Sequence, residues 1–393
     1  VHKPKVKVLG PHVVLDAERC IVCTRCVRFC DEIANESQLD VVNRGEHSEI
    51  STFPGKELDN PYSENTVDIC PVGALTSRAF RFRTRVWMLQ SAESVCTECS
   101  RGCRVRVDTF ENTPRRFKPL ENPQVNDWWM CDHGRHAFHE YLEGRMEAPL
   151  IREQGKPRSV PTRDAIATAV AAIKTIKSPE RLAVVISPWF TNEDAYLIGK
   201  LLTGPLKGAG VFMGGRADGD GDDVLIRADK NPNRKGVATI MAALGVSFEP
   251  LSKLSSDHDL ALVFGDNHTL GDETASALQA IKRRVVFGLF MTPLWETADV
   301  FLPTRTPWEK DGSYTNFEGV VQRIDRASKA TSTCKSEGYY AMKILQALGG
   351  DVAYGRPDGV LSGLAGEVPA FQGMTRAGLG PHGIKLGNEG ASA

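Results

Sequence analysis

Leu9-Gly-Pro-His-Val-Val-Leu-Asp-Ala-Glu-Arg-Cys20-Ile-Val-Cys23-Thr-Arg-Cys26-Val-Arg-Phe-Cys30-Asp-Glu32 is the stretch around which the rest of this sequence organises. Its Cys20-x2-Cys23-x2-Cys26 run puts three thiols on one tight loop, from which they can face one corner of an iron–sulfur cubane without strain. A bacterial ferredoxin run continues with x3-Cys-Pro, and that fourth cysteine serves a second cluster. Here Cys30 has the spacing but Asp31 follows it, and the Cys-Pro pair lies at Cys70-Pro71, within Ile69-Cys-Pro-Val-Gly-Ala74. No second run of the same kind precedes Cys70, so a two-cluster ferredoxin lacks ligands. The spacing predicts one [4Fe–4S] cluster on Cys20, Cys23, Cys26 and Cys70, with Cys30 left as a small buried hydrophobe. The competing reading is a structural zinc site, but such sites usually pair one C-x2-C with another.

Cys96-x2-Cys99-x3-Cys103, then 27 residues, then Cys131, forms a second set with three local ligands and one remote. That pattern again suits a cubane, with zinc as the alternative. Two complete sets in one chain invite electron transfer between them. Arg78, Arg81, Arg83 and Arg85 lie between the sets, and Arg101, Arg104 and Arg106 lie beside the second. Cations near a cluster stabilise its reduced form, although a solvated basic face would read the same way. Trp87 and Trp128-Trp129 are core or interface residues, or shields over a cluster. His133, His136 and His139 crowd after Cys131; His133 could donate to a cluster sulfur, but a solvated helix face is the plainer expectation.

Nine of the ten cysteines fall within the first 131 residues, and Cys334 stands alone beyond them. With no apolar core of a secretory signal in the opening Val1-His2-Lys3-Pro4-Lys5 segment, a disulfide framework is not expected. Lys+Arg 48 against Asp+Glu 49 excludes a strongly basic nucleic-acid binder. No apolar run approaches the ~20 residues of a spanning helix.

From about Ala148 the pattern becomes a beat of strand and helix. Leu182–Ile186, Asp259–Phe264, Val285–Phe290 and Asp299–Leu302 read as strands. A helix capped by Asn192 should run to Leu202, and another should lie near Asp272–Arg283. This predicts an α/β domain with a mostly parallel sheet. Val105–Asp108 reads as a short strand, and Arg44–Asn65 as a loop or weak hairpin. Asp218-Gly-Asp-Gly-Asp-Asp223 lacks the twelfth-position Glu of a Ca²⁺ loop and reads as a flexible acidic turn. The Gly-rich stretch beyond Gly355 is expected to be extended or poorly ordered.

The stretch Leu9–Glu32, together with Cys70-Pro71, resembles the large iron–sulfur subunit of bacterial NADH-quinone oxidoreductase, respiratory complex I. The second cysteine set resembles the [4Fe–4S] module at the head of formate dehydrogenase-like molybdopterin enzymes, of the Mo/W bis-MGD type. Thr191-Asn-Glu-Asp-Ala-Tyr-Leu197, Glu296-Thr-Ala-Asp-Val-Phe-Leu-Pro303 and Glu309-Lys-Asp-Gly-Ser-Tyr-Thr-Asn-Phe-Glu-Gly319 resemble, more weakly, the molybdopterin-oxidoreductase fold. The resemblance implies an α/β chain in four parts. These are a ferredoxin-like [4Fe–4S] domain over 1–88, the small module over 89–147, a shortened, degenerate molybdopterin-oxidoreductase-like domain over 148–354 and a Gly-rich tail over 355–393.

The departures from that pattern carry their own implications. The family's [2Fe–2S] domain, and a cluster motif with one histidine and three cysteines, would precede residue 1. The resemblance therefore implies a truncated chain, or a short form whose missing domain sits on another polypeptide. In molybdenum members Lys-Gly usually follows the module's fourth cysteine, whereas here Asp132-His133-Gly134-Arg135 follows Cys131. Cys334 is far from the expected metal-ligating position.

The resemblance thus implies two [4Fe–4S] clusters, no molybdopterin and no catalytic residue on this chain. It implies electron transfer from NADH and flavin towards quinone, as a subunit of an NADH dehydrogenase. The implied partners are the flavin- and NADH-binding subunit and the quinone-side iron–sulfur subunits, with no nucleic acid and no direct membrane span. The implied place is the cytoplasmic side of the bacterial inner membrane, peripheral, within a complex. The alternatives are the catalytic subunit of a molybdopterin-dependent formate dehydrogenase and a zinc-binding structural scaffold.

Overall fold

The computed structural model describes residues 2–352 and 356–387. A seven-stranded sheet forms its largest layer. The strand order is Lys156–Ser159, Leu150–Glu153, Val300–Pro303, Arg284–Gly288, Leu260–Phe264, Leu182–Ile186 and Gly210–Met213. The last five pair in parallel, and the first two form an antiparallel hairpin on one edge. Every residue of Leu182–Ile186, Leu260–Phe264 and Arg284–Gly288 is buried. Parallel strands covered on both faces must be apolar throughout, which is why these segments are legible as continuous Val/Leu/Ile/Phe runs.

Helices Thr162–Lys174, Asn192–Thr203, Arg234–Ala243 and Glu337–Ala347 bury their apolar faces in one cluster with this sheet. The strand bounds agree with the sequence reading to within two residues, and Gly210–Met213 is an additional strand. Two helix readings need correction. Thr191, not Asn192, caps the helix Asn192–Thr203, its Oγ1 accepting from Asp194 N at 3.1 Å. Asn192 turns inward to bond Ser313 Oγ and Thr315 Oγ1. The segment Asn267–Leu278 is broken at Gly271 (φ +75°, ψ +163°): a first turn starts at Asp266, which forms a capping box with Thr269, and the helix expected near Asp272–Arg283 follows the break and ends at Leu278.

The C-terminal stretch is not an extended tail. Pro357–Glu367 is a helix, and Val360, Leu361, Leu364, Phe371, Met374 and Leu379 are buried in the main core. Ile384–Lys385 then pairs antiparallel with Val320–Ile324. The Gly content masked a helix whose apolar face is complete. Gly355 and residues 388–393 lie outside the described residues.

Three small sheets precede this layer. Lys7–Val8, Val13–Leu15 and Leu75–Ser77 form one. Leu39–Val42 and Glu49–Thr52 form a hairpin, of which only the second strand falls within the Arg44–Asn65 stretch expected as a loop or weak hairpin. Gln90–Val95, Arg104–Phe110 and Thr113–Pro119 form the third. These elements share a second apolar core that includes Cys26, Cys30, Cys96, Cys103 and Cys131.

Candidate metal centres

The first cysteine loop is shaped by two left-handed residues. Val22 (φ +51°) and Thr24 (φ +61°) sit between the cysteines, and Val22 N donates to Cys20 Sγ at 3.4 Å. A β-branched residue rarely adopts positive φ, so the loop is held there by its surroundings. Helix Arg25–Glu32 follows at once and buries Cys26 in its first turn. Cys70 arrives from the other side. Helix Asn65–Ile69 ends on it in an extended conformation, as expected of a residue before proline.

Cys20, Cys23, Cys26 and Cys70 line one cavity together with Leu15, Ile21, Ile50, Val72, Ala74 and Leu75. They bound a small cleft that is partly open to solvent. Burial pushes the Cys26 thiol up to about 11. Cys30 lies outside this lining. It is fully buried, and burial pushes its thiol up to about 12.

The second set is closed by backbone bonds. Cys96 N donates to Cys103 O at 2.8 Å, and Gly102 N to Cys99 O at 3.3 Å. Cys131 is the N-cap of helix Asp132–His136, its Sγ accepting from Gly134 N at 3.3 Å. A Cβ at position 134 would stand 2.9 Å from Cys96 Sγ and 3.4 Å from Cys131 Sγ, so the two sulfurs flank a position only glycine fits. Burial, with the other cysteines close by, pushes the Cys96 and Cys103 thiols well up and the Cys131 thiol to about 12. Close thiols such as Cys96, Cys103 and Cys131 resist ionising together unless positive charge joins them, which a metal centre would supply. Among the described residues, no three His, Cys, Asp or Glu side chains are grouped as a single metal ion requires.

His133 lies on the exposed face of helix Asp132–His136, as expected, with 62% of its side chain in solvent, and it is also paired. Its Nε2 meets Glu98 Oε2 at 3.3 Å, and Arg216 Nη1 meets the same oxygen at 3.2 Å. Glu98 is fully buried; burial alone would raise its carboxyl, but His133 and Arg216 hold it below its ordinary value. Glu98 and Arg216 escaped sequence reading because they are 118 residues apart. His136 pairs with Glu64 at 3.1 Å and stacks on His12.

The carboxyl ends of the parallel strands, where α/β folds usually take ligands, are closed by the chain itself. Asp266 Oδ2 accepts from Leu289 N at 2.7 Å and Phe290 N at 3.1 Å. Lys310, Glu337 and Arg305 line the small cavity left there, and no cysteine does. Cys334 is buried elsewhere, with its sulfur 4.0 Å from Met146 O.

Residues 10–76 match the family model for the NADH-quinone oxidoreductase subunit 3 ferredoxin-like domain, and residues 226–350 match that for molybdopterin oxidoreductase. The G subunit of NADH-quinone oxidoreductase from Mycobacterium bovis is 40% identical over 195 residues, 49% of this chain and 24% of that relative. The NADH-ubiquinone oxidoreductase 75 kDa subunit of Reclinomonas americana is 32% identical over 268 residues, 66% of this chain and 37% of the relative. The chain is a homologue of these NADH-quinone oxidoreductase subunits.

The chain spans only about a quarter to a third of the length of these relatives. Acetylene hydratase from Pelobacter acetylenicus overlays with a TM-score of 0.48 at 10% identity, covering 75% of this chain and 74% of the other. The architecture is mixed α/β, a ferredoxin-like N-terminal part followed by a part of the molybdopterin-oxidoreductase type. A ferredoxin-like domain implies iron–sulfur clusters. No helix among the described residues is long and apolar enough to cross a membrane.

Proposed function

We propose that this chain is an electron-transfer subunit of NADH-quinone oxidoreductase (complex I). It would carry electrons from NADH and flavin towards quinone through two [4Fe–4S] clusters. The observation that carries the reading is the gathering of Cys20, Cys23, Cys26 and Cys70 around one cavity, within the segment that matches a ferredoxin-like domain. Those four hold the first cluster, and Cys96, Cys99, Cys103 and Cys131 hold the second. All eight donors are thiols, the usual ligands of iron–sulfur cubanes. In a cubane each thiolate binds its own iron, which accords with four thiols that surround one space.

When bound, the clusters supply one-electron chemistry. The chain's own residues supply the rest. Leu15, Ile50 and Leu75 keep water from the first site. Val22 N and Gly134 N direct hydrogen bonds at ligand sulfurs, which stabilises added negative charge. The organisation follows the 1–88, 89–147 and 148–354 division, with Pro357–Glu367 completing the third part.

The third part is a scaffold in this reading. The residues at its strand ends do not fit molybdopterin, because no cysteine lines the small cavity and Lys310 is already paired with Glu337. The formate dehydrogenase alternative is not favoured. The chain would work at the cytoplasmic face of the bacterial inner membrane, with a flavin- and NADH-binding subunit on one side and quinone-side iron–sulfur subunits on the other.

Iron, zinc and molybdenum analysis of anaerobically purified protein tests the reading. The expected result is about eight Fe per chain with neither Zn nor Mo. Zinc in place of iron would establish the scaffold alternative, and stoichiometric molybdenum the enzyme. Cys70→Ala should abolish the first cluster's paramagnetic signal and leave the second. Cys30→Ala should leave both, and the reverse pattern would overturn the ligand assignment.

A further inference from the structure

The segment Ser77–Ala92 is unlike the rest of the surface. It carries Arg78, Arg81, Arg83 and Arg85 and no acidic residue. Arg81, Arg83 and Arg85 make no ion pair among the described residues; Arg81 and Arg85 lie over the rings of Phe82 and Trp87 instead. Phe82 is 90% exposed and Trp87 81%, with Val86 and Met88 also exposed. Phe82 further holds a left-handed backbone (φ +61°), which a bulky residue avoids. Nothing in the folding of this chain accounts for an aromatic placed at that cost in water. Isolated exposed hydrophobics are ordinary, but Trp, Phe, Met and unpaired Arg within one short segment have the composition of an interface centre.

We infer that Arg81–Met88 is a docking surface for the acidic, partly apolar face of another protein subunit. Three unpaired guanidiniums call for carboxylates, which they bind through paired N–H groups. The aromatic side chains call for an apolar complement. A bilayer is the less suitable occupant. Peripheral membrane anchors of this composition are amphipathic helices, whereas the only helical turn here is the three-residue Val86–Met88.

The position adds a consequence that rests on the proposed electron-transfer role. The segment continues directly from strand Leu75–Ser77, and Leu75 lines the first cysteine cavity. Ile21 and Val72, also exposed, line the same cavity. A subunit seated on Arg81–Met88 is thereby held on the part of the chain that carries the first site.

The test uses the full chain in its assembled complex, with Trp87 replaced by the photocrosslinker p-benzoylphenylalanine. The expected product joins position 87 to an Asp/Glu-rich segment of a different subunit. The triple variant Arg81→Glu, Arg83→Glu, Arg85→Glu should lower recovery with the other subunits about tenfold at ~0.15 M salt, with iron content and melting unchanged. Phe82→Ala with Trp87→Ala should do the same without altering charge. Cross-links confined to this chain or to a second copy would overturn the inference. So would normal assembly of both variants, or equivalent Arg-dependent binding to phosphatidylglycerol vesicles. A cross-linked acidic partner with no iron in the chain would sink the electron-transfer role but keep the surface; full iron with unimpaired assembly would do the opposite.

Discussion

Gly134→Ala is the sharpest single perturbation of the second site. The added methyl would sit 2.9 Å from Cys96 Sγ and 3.4 Å from Cys131 Sγ, against ordinary contacts of 3.4–4 Å. Neither sulfur can retreat cheaply. Cys131 Sγ is held by Gly134 N itself, and Cys96 is pinned by its bond to Cys103 O. Overpacking of this kind costs about 1–3 kcal/mol. If that cost falls on cluster binding, each ~1.4 kcal/mol is a tenfold loss in affinity. The expected result is about half the parent iron, with the second cluster's signal lost and the first intact. Gly366→Ala is the control, since nothing lies within 4 Å of its added carbon and it sits in a helix. It should hold its iron and melt at or slightly above the parent temperature. Full iron and two unaltered signals in Gly134→Ala would refute the claim that Cys96 and Cys131 share a ligand set across this glycine.

Two further predictions concern the α/β part. Lys310 is buried between Glu337 at 2.5 Å and Asp194 at 3.7 Å, so Lys310→Met strands buried carboxylates and should cost about 3–5 kcal/mol in denaturant unfolding; a loss below about 1 kcal/mol would contradict the assignment of Lys310 as their buried counter-charge. Burial pushes the Glu193 carboxyl up to about 7 from an ordinary 4.5. A folded-state value above the unfolded one means its contribution is fully present below pH ~4.5 and is lost as pH rises through ~7. That loss is of order 3 kcal/mol, and Glu193→Gln should flatten the pH 4.5–7 slope of unfolding free energy while leaving the slope elsewhere unchanged.

What could be read from the sequence depended on how local the cause was. The strands Leu182–Ile186 and Leu260–Phe264 declare themselves because burial on both faces leaves no room for polar residues. Three of the four cysteines in each set are spaced by the loop that carries them, and the Cys-Pro pair marks the first remote partner. The misreadings share one origin. Thr191 outcompetes Asn192 as a cap only because Asn192 is drawn away to Ser313, 121 residues on. Glu98 finds His133 and Arg216 through the fold alone. The C-terminal helix looked like coil because Gly359, Gly363 and Gly366 dilute its pattern, yet Val360, Leu361 and Leu364 still recur at helical spacing and are buried.

The two cysteine sets are also tied together mechanically, in a way that bears on the proposed role. Helix Asn65–Ile69 delivers Cys70, and helix Asp132–His136 follows Cys131. Asp132 accepts from Ser63 Oγ at 2.6 Å and from Glu64 N at 3.0 Å. Asn65 Nδ2 donates to Met130 O, and Arg135 reaches both Asn65 Oδ1 at 2.9 Å and Asp68 at 2.6 Å. Asn65, Asp132 and Arg135 are all buried, so each bond is costly to break. A chain that only needed to fold could have joined these helices with apolar contacts of equal area. Directional bonds fix distance and orientation as well as association, and a carrier's rate depends on the spacing of its centres. The polar seam between Cys70 and Cys131 is therefore a reason to treat the two sites as one rigid unit.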